Sequence, residues 1–271
     1  MKKLLIPYFS FSVAAYVLWF IEIQPQSLND ALKPIKAIFW VNSEGMPLAG
    51  ALWFLTAMLV VNILVFCIEK IFDEKYKWIA IVGVFTFGLL ETSVLPFRLP
   101  WSTGAACVGV GYFYFGSVMK RFWNGKIMTK LKSIQIWIYC AVLLCSGCII
   151  MLNGIQNMRK GEYACIPLTV FNSIISVSAL WLLIYRISPI ADEKLGNIAN
   201  EIKRIGQYSV IWLCCNELSI NLVWSIMDKM RFHNLCIEVL VVFIALKICE
   251  KVFTETPLSV FVGFSYVKKR R

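Results

Sequence analysis

The sequence predicts an all-α membrane protein: a polytopic bundle of about eight transmembrane helices, both termini cytoplasmic, with short amphipathic helices at the membrane interface. Three observations predict it. Of the 271 residues, 59% are hydrophobic and only 16% charged, whereas soluble domains carry about 25% charged residues. That leaves too little polar surface to cover a soluble globule, and lipid is the medium that accepts the excess. Second, the apolar residues gather into runs long enough to cross roughly 30 Å of hydrocarbon. Third, the basic residues between those runs alternate in density, as an orientation signal does.

The spanning helices are expected at Leu4–Ile21, Ala49–Ile68, Trp78–Leu95, Thr103–Met119, Ile134–Leu152, Ile166–Ile187, Tyr208–Met227 and Leu235–Phe253. The first follows Met1-Lys2-Lys3 and is too long for a signal-peptide core. Glu22-Ile23-Gln24-Pro25 after it offers no small-residue cleavage site, so it reads as a membrane span. Glu91 interrupts the third. The fourth is short and carries Gly104, Gly109, Gly111 and Gly116, which let neighbouring backbones approach closely. Two helices are expected not to span. Asn29–Trp40 places Leu32, Ile35, Phe39 and Trp40 on one side and would lie in the outer interface; Asp192–Gln207 places Leu195, Ile198, Ile202 and Ile205 at helical spacing and would rest on the inner leaflet. The tail Leu258–Val267 is too short to span and ends in the basic residues Lys268–Arg271.

With the amino end inside, the inner segments hold 19 Lys and Arg and the outer ones 7, Lys247 lying within the last span. That bias supports both the helix count and the direction. The formal net charge of +11 then reads as topology rather than as nucleic-acid binding, since no basic groove separates from the loops. The chain is read as a single membrane domain, 1–271. No internal repeat is visible, which weighs against transporters built from inverted repeats.

Ionisable groups inside a membrane are costly and mark functional sites by default. Glu217, in Cys214-Cys215-Asn216-Glu217, sits near the middle of the seventh span and Lys247 in the eighth. The two could form a structural ion pair or line a solvated cavity. Glu91 and Arg98 fall near the outer end of the third span, where they could line a rim, and Glu238 near the start of the eighth. His233 is the only His and lies in a loop. No Ser-His-Asp set, phosphate-binding Gly loop or HExxH stands in the chain. The ten Cys fall mostly inside apolar runs and behave as small hydrophobes; Cys145 and Cys148 have redox spacing without the context for it, and no metal is expected. Cys165 and Cys236 both fall near outer ends and could pair. Trp40, Trp53, Trp101 and Trp224 sit at outer ends as interface anchors.

Three stretches resemble the acyltransferase 3 family, the integral-membrane O-acyltransferases, and in particular its fucose-4-O-acetylase-like branch. Pro47-Leu48-Ala49-Gly50-Ala51-Leu52-Trp53-Phe54-Leu55 is similar to the start of a family helix after a polar outer loop. Leu99-Pro100-Trp101-Ser102, followed by Tyr112-Phe113-Tyr114-Phe115-Gly116, is similar to a second. Ile205-Gly206-Gln207-Tyr208-Ser209-Val210-Ile211-Trp212-Leu213 is similar to the lead-in of a late helix, and Thr256-Pro257-Leu258 to Val262-Gly263 looks like the family's end.

The resemblance implies transfer of an acetyl group from acetyl-CoA to a carbohydrate hydroxyl of the cell envelope, in a bacterial cytoplasmic membrane. It also exposes departures. The family has about ten spanning helices, the first bearing a basic residue and a His understood as catalytic. Met1–Tyr8 looks like the start of the family's third helix, so the chain reads as a member lacking the first two and their His. Asn216 stands where many members have a second His, Gly104 near a position often acidic, and Arg98 against outer-loop basic residues. A hydroxyl needs a base to become a good nucleophile, so three readings follow: a truncated or degenerate member, a fragment, or a chain using Glu217 (with Asn216) as its base. Trp53, Glu91, Arg98 and Lys247 are the substrate-binding candidates. From other classes, a small-solute or lipid transporter using Glu217 and Lys247 is the alternative, as is a non-catalytic subunit binding glycan, a partner chain or a second copy.

Overall fold

The computed structural model describes residues 2–40, 48, 50–231 and 234–263. His233 and the basic tail Lys268–Arg271 lie outside the described residues. Eleven helices follow in order among those described: α1 (Lys2–Ile23), α2 (Leu28–Phe39), α3 (Trp53–Ile71), α4 (Glu74–Val94), α5 (Thr103–Arg121), α6 (Lys126–Lys132), α7 (Ile136–Asn153), α8 (Ile166–Lys194), α9 (Gly196–Gln207), α10 (Ser209–Met230) and α11 (Leu235–Glu255). A 3-10 turn, Pro100–Ser102, leads into α5 and another, Pro257–Val262, follows α11. The only sheet among the described residues is the two-stranded hairpin of β1 (Gln156–Asn157) and β2 (Glu162–Tyr163).

The protein is an all-α polytopic membrane protein. Six helices are long and apolar enough to cross a bilayer: α1, α3, α4, α7, α8 and α10. The two remaining spans expected from sequence are helices of suitable length, 19 residues for α5 and 21 for α11. They are less apolar for legible reasons, the glycines of α5 and the five charges Glu238, Lys247, Glu250, Lys251 and Glu255 of α11. Boundaries moved by a few residues in several helices, and two shifts have a visible cause. The span expected from Ala49 begins at Trp53, because Gly50–Leu52 forms a turn. α8 runs on through Pro189 to Lys194 and takes Asp192 and Lys194 from the next helix. Of the predicted stripe, Ile198 and Ile202 of α9 are exposed, Ile205 is half-buried, and Leu195 ends α8 instead.

Two compact units divide the chain: residues 1–66, 98–106 and 205–271 in the first, 67–97 and 107–204 in the second. In the first, α10 and α11 form an antiparallel hairpin. Arg231 ends α10 in a left-handed conformation (φ 52°), and Asn234 caps α11 by accepting from the amides of Cys236 and Ile237. The core of this unit gathers Tyr8, Phe11 and Ala15 of α1, Ala37 and Ile38 of α2, Leu52 and Leu55, Ile211, Cys214 and Cys215 of α10, and Leu246 of α11. Gly263 closes the second 3-10 turn at φ 73°, and a Cβ there would stand 3.1 Å from the Lys3 Cα, so the chain passes against the start of α1. In the second unit α7 packs on α8, and Met119, Met128, Tyr139 and Leu182 form a smaller core.

The sequence places the segment of α2 in the interface plane, but its hydrogen bonds turn it along α1. Ser27 caps it, accepting from the Asp30 amide at 3.1 Å, and hydrogen bonds from Lys33 and Ser27 hold the Asp30 carboxyl below the usual carboxylate range. The Tyr16 hydroxyl then donates to the Ala31 carbonyl (3.2 Å) and the Tyr8 hydroxyl to that of Ile38. Residues 16 and 8 are about 12 Å apart along α1, and 31 and 38 about 10 Å apart along α2, so the helices run antiparallel. The buried face is Pro34, Ala37 and Ile38, while Leu32, Phe39 and Trp40 of the expected stripe are exposed. Tyr8→Phe removes the donor to a buried carbonyl and is expected to destabilise the detergent-solubilised protein by about 1–3 kcal/mol in a denaturant titration.

Candidate functional site

The last carbonyls of any helix lack partners inside it, and those of α2 are answered by two aromatic residues. Tyr8 donates to Ile38. Trp101 donates its indole Nε1 to the Phe39 carbonyl at 3.0 Å and its backbone amide to the Trp40 carbonyl at 2.8 Å. Reaching both requires Trp101 to adopt φ 55°, ψ 35°, and Ser102 follows at φ 55°. Leu48, in the same core, is at φ 55° as well. Left-handed conformations cost an L-residue about 1–2 kcal/mol each and gather where the surroundings fix an irregular backbone. Tyr8 and Phe9 hold the Trp101 ring at centroid distances of 6.1 and 6.4 Å.

Irregular backbone therefore stands beside Tyr8, about 9 Å along a helix about 33 Å long. At membrane depth such backbone is tolerated only where protein buries it or where it lines a cavity. The adjoining turn supplies the site's first charge contact: the Ala51 amide donates to Glu217 Oε2 at 3.1 Å. Glu217 lies about 12 Å along α10 and is half-buried, whereas its neighbour Asn216 is exposed.

A second polar cluster lies on the same hairpin, nearer the Ser209 end. Glu250 is 1% exposed. Its Oε2 accepts from the Trp212 indole at 2.8 Å and stands 3.4 Å from the Lys247 ammonium. Lys247 is thus bound to Glu250 in its own helix and not to Glu217, which corrects the pairing considered from sequence. The i,i+3 spacing of Lys247 and Glu250 was the available signal; the indole partner had none.

Trp53 opens α3, edge-on to Phe54, and its carbonyl accepts from Thr56. Arg98 is half-buried just before the Pro100–Ser102 turn. Glu91 belongs to the second unit, where it is 2% exposed in the last turn of α4. Cys165 and Cys236, which could pair by their sequence positions, are both free and exposed. Cys145 and Cys148 are exposed on α7. Among the described residues no group of three or more His, Cys, Asp or Glu is placed to hold a metal.

Membrane helices, a helix turned back along α1 and a turn whose amide meets the carboxylate of Glu217 define an integral-membrane protein with a polar contact among its helices. The chain belongs to the acyltransferase 3 family: the family model for the acyltransferase domain matches residues 1–249. Comparison with curated proteins and with solved structures found no match. Of the segments that carry the resemblance, Leu48–Leu55, Leu99–Ser102, Ile205–Leu213 and Thr256–Gly263 fall in the first unit and Tyr112–Gly116 in the second.

A buried charge that loses its partner costs about 3–5 kcal/mol. Lys247→Met is therefore expected to lower stability by about 3 kcal/mol. Lys247→Met with Glu250→Leu should recover most of the loss, which a double-mutant cycle in denaturant will read as coupling between the two sites.

Proposed function

We propose that the protein serves O-acylation of a carbohydrate. An acetyl group from acetyl-CoA passes to a sugar hydroxyl of the cell envelope, in a bacterial cytoplasmic membrane, with eight spans and both termini inside. The observation that supports this reading is the family match over residues 1–249, together with the family-like turn at Ala51, whose amide donates to Glu217. In the reaction the hydroxyl oxygen bonds to the thioester carbonyl carbon, the carbon–sulfur bond breaks, and the hydroxyl proton leaves through a base and ends on the thiol of coenzyme A. Glu217 is placed to orient the hydroxyl and to receive its proton. Trp101, on its strained turn, presents an aromatic face of the kind on which sugar rings stack.

Glu217 alone is a poor base. A carboxylate is a weak base for a sugar hydroxyl, and one of its oxygens already accepts from the Ala51 amide. The chain's only His, His233, falls between α10 and α11 in the sequence. An imidazole near neutral pKa, brought by a further helix of the same protein or of a partner, would complete the site. Without it, the proposal is that this chain transfers slowly or not at all. The transporter alternative loses its motive pair, since Lys247 is held by Glu250.

Acetyl-CoA-dependent acetylation of envelope carbohydrate, measured in membranes carrying this chain alone and with the His-bearing helices of a complete relative, tests the proposal. Activity is expected only in the second sample, where Glu217→Gln should lower kcat about 10²-fold. Activity of the chain alone would overturn the requirement for an imidazole. Silence in both would reject acyl transfer for this chain.

A further inference from the structure

The second unit contains two cavities that lie end to end. One, of about 270 Å3, has apolar and aromatic walls that include Val82, Phe85, Phe115, Val170 and Ile174. The other, of about 140 Å3, has the polar residues Glu69, Glu74, Lys77, Ser117 and Arg121. Trp78, Ile81, Tyr114 and Val118 line both. From the charged end at Lys77 and Arg121 the pair extends along α4 to Phe85 and along α5 to Gly111, about 12–15 Å of helix.

The apolar chamber has a fixed end wall. A Cβ on Gly111 would fall 2.2 Å from Cδ2 of Phe85, so that ring lies directly over the bare glycine. Phe85 also stands edge-on to Tyr112 at 5.7 Å, and the Tyr112 hydroxyl shares a hydrogen bond with Ser173 of α8 at 2.8 Å. Three helices therefore define the wall. An apolar cavity of this kind excludes water, and in a membrane the hydrocarbon of a lipid is the available filling.

The charged end decides which lipid. Lys77 is already bound to Glu69 and Glu74, each at 2.6 Å, and the Tyr114 hydroxyl donates to Glu69 at 2.7 Å. Those acids are spoken for. Arg121 and its neighbour Lys120 form no ion pair among the described residues, and both are exposed at the last turn of α5. A guanidinium presents a donor fork that matches phosphate oxygens, and basic pockets between membrane helices hold anionic head groups. We propose that this is a specific site for an anionic phospholipid, one acyl chain in the chamber between α4, α5 and α8 and the phosphate on Arg121. The site shares no residue with the Glu217 centre and does not depend on acyl transfer.

Native mass spectrometry of the full chain, delipidated in detergent and titrated with phosphatidylglycerol or phosphatidylcholine of matched chains, tests it. One phosphatidylglycerol should be retained about ten-fold more tightly than phosphatidylcholine, which carries the same phosphate but whose choline cation offsets its attraction to Arg121. Arg121→Gln should abolish that preference and leave chain binding in place. Val170→Trp, which fills the chamber from α8, should abolish retention of both lipids, with Ile174→Phe as the milder filling if the Trp variant loses its melting transition. Equal retention of the two lipids by the wild type, or retention unchanged by the filled chamber, would overturn the proposal. So would displacement of bound phosphatidylglycerol by equimolar palmitoyl-CoA, which shares the chain and the phosphates.

Discussion

A helix that stops inside a protein of the membrane must find donors for its last carbonyls, because lipid offers none. The turn of α2 is where this protein meets that constraint. The carbonyls of Ile38, Phe39 and Trp40 accept from Tyr8 and from two nitrogens of Trp101. Everything near the site follows from that arrangement. Tyr8 must face α2, which fixes the rotation of α1. Trp101 must turn back on a left-handed backbone, which fixes where α5 begins. The Gly50–Leu52 turn meets α10, where the Ala51 amide donates to Glu217. The strain at Trp101 and Ser102 is held in place by these bonds and by the packing of Tyr8 and Phe9 on the indole.

The two carboxylates of the α10–α11 hairpin show how the same low dielectric sorts charge into different roles. Glu250 is almost fully buried, and the Trp212 indole and the Lys247 ammonium offset its desolvation. It is a structural charge that ties the two helices. Glu217 is half-buried, with a single amide donor to one of its oxygens. A carboxylate held at one oxygen keeps capacity for a second partner. The aliphatic and thiol neighbours of both, including Cys214 and Cys215, fill space as small apolar residues do.

The second unit uses different means. Gly111 lets the Phe85 ring close over the α5 backbone, and the Lys77 bridge to Glu69 and Glu74 draws the end of α3 to the start of α4. Trp123 stacks on Trp181 at 5.4 Å, and Lys132 lies 3.9 Å above the Trp123 ring, closing the short α6 against α8. These are contacts at helix ends, where amphipathic side chains bridge apolar and polar surroundings.

What the sequence by itself determined is the set of long helices. Their apolar runs are a one-dimensional property, set by the thickness of the hydrocarbon and by the helix's need to satisfy its own backbone, so all eight expected spans are helices whose ends shift by a few residues. The family, too, was legible, since its motifs are contiguous. The tertiary structure decided which polar residues meet. Glu217 and Ala51 are 166 positions apart, Phe39 and Trp101 are 62, and Trp212 and Glu250 are 38. No periodicity encodes such pairs. The stripe of Leu32, Ile35 and Phe39 pointed to the interface plane because a hydrophobic pattern gives a face and not a direction. Only the last carbonyls of α2, and the hydroxyl and indole that reach them, settle that the helix turns along α1.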